Sequence, residues 1–133
     1  MLTERALRII LIVLAVAQLA TGIVMVTAPS LFHEWFANFG PKHPHLLRDV
    51  GTIYLATGIG LLVSVRRPAW RPGVVGVLVL QYAAHAVNHL FDVNRAEPAW
   101  VGPFDLAVQV AGTVILAWLL TQVAQDSPRA RDS

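Results

Sequence analysis

His85 and His89 stand one helical turn apart, in a stretch that also carries Gln81, Asn88 and Asp92. Earlier in the chain His45 and Asp49 repeat the same spacing, with Arg48 and Thr52 beside them, and further on come Asp105 and Gln109. Residues three or four apart share one face of an α-helix, so each set forms a stripe. Imidazole nitrogens and carboxylate oxygens at this spacing suit zinc, iron or copper, and metal sites in helix bundles are built from such inward-facing ligands. His45, Asp49, His85 and His89 are the candidate metal ligands. Arg48 would set a positive charge beside the ion, and the chain lacks a Glu-x-x-His motif. Haem b held by His45 with His85 or His89 is a second possibility, and a transition metal suits the set better than haem. A third reading needs no ligand: Arg48 bridging Asp49, Asp92 or Asp105 would tie the helices together as an ion-pair lock.

The elements that must position these residues are membrane helices. Of 133 residues 56% are hydrophobic and 14% charged, with a mean hydropathy of +0.59. A water-soluble domain usually carries about 25% charged residues to coat its surface. Four apolar segments stand out, from about Ala6 to Ala28, Leu46 to Val65, Gly73 to Phe91 and Val101 to Val123. Each approaches the roughly 20 residues that cross about 30 Å of hydrocarbon. Pro29, Pro68, Pro72 and Pro98 punctuate the breaks, since proline lacks the N–H that a helix interior needs. The first segment continues to Ala28, beyond the usual apolar core of a cleaved signal peptide, and reads as a membrane helix. The expected fold is a single all-α domain, an integral-membrane four-helix up-and-down bundle. Without cysteine, disulfides, thiolate metal sites and thiol redox chemistry are excluded.

Arginines set the expected orientation. Arg5 and Arg8 precede the first segment, Arg66, Arg67 and Arg71 crowd the second loop, and Arg129 and Arg131 follow the fourth. The other two loops hold only Lys42 and Arg95 alongside Glu34, Asp92 and Glu97. The positive-inside rule then places both termini in the cytoplasm of a cell with the chain in its inner (plasma) membrane. The pI near 9.7 follows from these membrane-edge cations and is no sign of nucleic-acid binding. In the first external loop Leu31–Phe39 is rich in aromatics and is expected to lie along the interface as a short helix, with His33 and Glu34 solvated there. Trp70 and Trp100 mark the interface elsewhere.

Antiparallel neighbours bring the start of the second helix, the end of the third and the start of the fourth to one depth. All the polar stripes gather there, while Ile59–Val65 and Val74–Leu80 are nearly all apolar. Ionisable groups facing lipid are costly, so the stripes are expected to face inward. The expectation is an outward-opening polar pocket lined by His45, Arg48, Asp49, His85, Asn88, His89, Asp92 and Asp105. Gly22, Gly51, Gly58, Gly60 and Gly112 permit close helix approach, and Ala56-x3-Gly60 is a small-x3-small pair.

The run Leu46-Leu47-Arg48-Asp49-Val50-Gly51-Thr52-Ile53-Tyr54-Leu55-Ala56-Thr57-Gly58 resembles the second-helix signature of DoxX-like small bacterial membrane proteins, and Gln18-Leu19-Ala20-Thr21-Gly22 with Pro29 is similar to their first helix. The resemblance covers mainly the first half of the chain. It implies a four-helix membrane protein linked to membrane redox systems, and it does not extend to the His-x3-His pair. Two function classes follow: a ligand-binding or redox-accessory membrane component whose pocket takes a metal, quinone or small apolar molecule, and a structural subunit of a larger membrane complex. Partners are the lipid bilayer and either a second copy or other membrane subunits. Transport ranks third, because a substrate path would need polar groups through the cytoplasmic half too. No nucleophile elbow, phosphate loop or paired-glutamate motif marks an enzyme.

Overall fold

The computed structural model describes residues 2–126. Arg129 and Arg131, counted above for orientation, lie outside the described residues. The order of elements is α1 (Glu4–Thr27), α2 (Pro29–Phe36), α3 (Pro44–Arg66), a 3-10 turn (Pro68–Trp70), α4 (Arg71–Asp92) and α5 (Val101–Asp126). Among the described residues there is no strand. Four stretches, Glu4–Thr27, Pro44–Arg66, Pro68–Asp92 and Val101–Gln125, are long and apolar enough to cross a membrane. Their outward faces carry exposed apolar side chains such as Ile9, Val13, Val16, Leu80 and Val114.

Local chemistry fixes the ends. Thr3 caps α1, its hydroxyl accepting the Ala6 N–H at 3.2 Å, and Glu4 sits in the first turn, where the helix dipole favours an anion. Pro29 and Pro44 open α2 and α3, positions at which the missing N–H costs nothing. The short helix expected in the first loop is present as α2, with Leu31, Trp35 and Phe36 exposed. α3 and α4 each begin two residues earlier than the apolar runs indicated, because their first turns are built from Pro44-His45 and Arg71-Pro72.

Contacts along neighbouring helices run in opposite senses. α1 lies against α3 through a glycine seam: a Cβ on Gly22 would come within 2.9 Å of the Gly51 carbonyl oxygen, and Leu19 covers Gly58. α4 lies against α5, where Gly112 makes room for the Tyr82 ring and Gly102 for the Val93 carbonyl. The two hairpins join at the end that holds the N-terminus. Leu7, Leu11, Leu61, Val75, Leu78, Leu116, Leu119 and Val123 form one buried cluster there, drawn from all four long helices.

Arg71 closes that end. Its guanidinium is 2% exposed, grips both oxygens of Glu4 at 2.9 and 2.8 Å and donates to the Ser64 carbonyl at 3.1 Å. Arg71 therefore does more than face solvent in a basic loop. Halfway along, Gln18 donates to the Tyr82 hydroxyl at 3.4 Å and accepts from Thr57 at 3.3 Å, linking α1, α3 and α4. At the far end the two long loops are tied where the Glu97 N–H donates to the Asn38 carbonyl at 3.0 Å. The His33 ring donates to the Gly40 carbonyl at 3.0 Å, holding α2 against the segment that leads into α3.

Candidate functional site

Between the Gln18 layer and the tied loops the hairpins part around a half-open cavity of about 730 Å³. Its apolar wall comes from Val24 and Met25 of α1, Phe32 and Phe36 of α2, Phe39, and Leu46, Leu47, Val50 and Tyr54 of α3. Its polar wall is His85, Asn88, His89 and Asp92 of α4 with Asp105 and Gln109 of α5. Tyr82 stands on the floor, at the Gln18 layer.

The two imidazoles on α4 are stacked, with centroids 4.7 Å apart and planes 14° from parallel, as one turn of helix dictates. Phe39 packs edge-on against His89 at 5.0 Å. These contacts leave His89 7% exposed, and its buried Nδ1 has no hydrogen-bond partner. The buried Oε1 of Gln109 on the same wall is likewise unpaired, as is that of Gln81, which does not line the cavity. A buried polar atom without a partner typically costs about 1–3 kcal/mol, so such atoms in a cavity favour a ligand that pairs with them. Asp92 is paired with Arg95 at 3.1 Å. The Asp105 carboxylate has neither ion pair nor hydrogen bond to a described residue, and His89 lies within its electrostatic reach.

Five of the eight pocket residues expected from the sequence line this cavity: His85, Asn88, His89, Asp92 and Asp105. His45, Arg48 and Asp49 do not. They are exposed, and His45 meets Asp49 at 3.5 Å with side chains 92% and 60% exposed. Their depth is as expected, but their face is not. The seam at Gly51 and Gly58 turns α3 so that Leu47, Val50 and Tyr54 meet the cavity, which puts His45 and Asp49 on the far side of the helix. The four-ligand metal set of His45, Asp49, His85 and His89 is therefore not brought together. Among the described residues no group of three or more His, Asp or Glu is placed to hold a metal ion. Arg48 likewise makes no ion pair with Asp49, Asp92 or Asp105; among the described residues the buried arginine is Arg71, which pairs with the half-exposed Glu4.

Sequence reasoning passed over the aromatic lining. The chain has two tyrosines, and Tyr54 and Tyr82 both line the cavity. A phenol midway along an apolar helix needs a partner for its hydroxyl, and that was the available signal.

No family model matches the chain, and neither a curated protein nor a solved structure matches it.

Proposed function

We propose that this is a multi-pass inner-membrane protein, its termini cytoplasmic, that holds a small, partly apolar molecule in the cavity between its hairpins. The observation that carries the reading is the buried, unpartnered Nδ1 of His89 on the wall of a cavity of about 730 Å³. Sites for small organic ligands are commonly concave, mostly apolar, roughly 300–1,000 Å³, and carry a few fixed polar groups. The DoxX-like resemblance of the first half supports a role as an accessory to membrane redox chemistry. The chain works in the bilayer, as a homo-oligomer or as a subunit of a larger membrane complex.

Gentle purification in lipid nanodiscs followed by native mass spectrometry tests the reading. The parent protein is expected to retain a small organic mass that Val50→Trp, which fills the cavity from α3, releases while melting at a similar temperature. A parent protein that carries no such mass and binds no added amphiphile would refute the proposal.

A further inference from the structure

The cavity's polar wall is rich in hydrogen-bond acceptors and holds neither lysine nor arginine. Asp105 brings a carboxylate that makes no ion pair or hydrogen bond to a described residue, and His89 Nδ1 and Gln109 Oε1 bring two unpartnered buried atoms. The cations at this end of the molecule are elsewhere. Lys42 reaches Glu34 at 3.8 Å, Arg95 is held by Asp92, Arg48 is exposed on α3, and none of the three lines the cavity. An anionic head group would meet the Asp105 carboxylate with no lysine or arginine on the wall to offset it. A neutral head would leave that carboxylate with no bonded counter-charge beside a mostly apolar wall, an arrangement that costs free energy.

We propose that the cavity selects a molecule with an apolar or aromatic body and a protonated amine head, with Asp105 as counter-charge. The ammonium hydrogens are donated to Asp105, to Gln109 Oε1 and to His89 Nδ1, whose other ring nitrogen then carries the proton. One head group thus satisfies all three unpaired acceptors. Tyr54, Tyr82 and the phenylalanines of α2 accommodate the body, and aromatic faces attract a cation passing over them. The proposal rests on the ligand-binding reading above and narrows it to one class.

Three probes that share a tail and differ in charge separate the outcomes: phenylbutylamine, phenylbutanol and phenylbutyrate. Binding is measured by isothermal titration to the full chain in nanodiscs at neutral pH, with empty nanodiscs subtracted. Charge-assisted hydrogen bonds are roughly twice as strong as neutral ones, so the amine is expected to bind about tenfold or more tighter than the alcohol, with the carboxylate weakest. Asp105→Asn is expected to erase that preference while alcohol binding stays within about twofold, and Asp49→Asn on the exposed face of α3 to leave it intact. Equal or tighter binding of the alcohol, or an unchanged amine preference in Asp105→Asn, would overturn the amine assignment while leaving the cavity as a binding site. Failure of all three probes to bind a folded protein would overturn both.

Discussion

At the scale of single residues, two polar groups carry most of the consequence, and they sit at opposite ends of the molecule. Arg71 is buried with its guanidinium between Glu4 and the Ser64 carbonyl, whereas Arg8 reaches the same Glu4 from an exposed position at 2.7 Å. Removing one partner of a buried pair leaves the other uncompensated, while exposed pairs contribute little. Arg71→Ala and Glu4→Ala are therefore expected to destabilise by about 2–4 kcal/mol, the lower end reflecting the half-exposed Glu4, and Arg8→Ala by under about 0.5. Thermal unfolding in nanodiscs reads the difference, and equal loss in all three would mean that the Arg71 contact holds nothing. His89 is the counterpart at the cavity. Its stacking on His85 and its contact with Phe39 keep the ring in place, so His89→Gln, which retains polarity and most of the volume, should keep the fold and weaken ligand binding.

At the scale of elements, the glycines divide into those that another helix touches and those that nothing touches. A Cβ at Gly22 meets the Gly51 backbone and Leu55, whereas a Cβ at Gly76 has nothing within 4 Å. Gly22→Ala should cost about 1–3 kcal/mol by forcing α1 off α3. Gly76→Ala should be neutral or stabilising by up to about 1 kcal/mol, because alanine loses less backbone entropy in a helix. Paired melting curves check both, and a stabilising Gly22→Ala would rule out the seam. The same contrast explains what the sequence discloses and what it withholds. The four long helices were legible because an apolar run near 20 residues has few other uses, and the depth of each polar stripe followed from counting turns. Which way each helix faces was harder to read. In a soluble helix the apolar stripe marks the packed side, but in these helices lipid and core are both apolar, and the small residues decide. Gly51 and Gly58 held that information for α3 and would have turned His45, Arg48 and Asp49 away from the cavity. Arg71 was hidden for another reason: a basic residue in a loop fits the positive-inside pattern, and its acidic partner lies 67 positions away.

At the scale of the whole molecule, the hairpins are closed at one end by the Leu7–Val123 cluster and the Arg71 pair, and parted at the other by the cavity. The proposed orientation puts the closed end in the cytoplasm and the cavity at the outer leaflet. Single cysteines replacing Lys42 and Arg67 should then react with a membrane-impermeant maleimide from opposite sides of sealed vesicles; labelling of both from one side would exclude four crossings. The exposed apolar faces leave room for a partner within the bilayer, so cross-linking in native membranes should recover species larger than the monomer, and recovery of monomer alone would count against assembly. The central claim is that ligands enter on the His89 side of the molecule and not on the His45 side. Nitrogen-15 NMR of histidine-labelled protein in nanodiscs, titrated with whichever of phenylbutylamine or phenylbutanol binds, reads this directly. The account predicts that the His89 Nδ1 resonance, assigned through His89→Gln, moves with saturation while that of His45 stays fixed. Movement of His45 with His89 unchanged would contradict it.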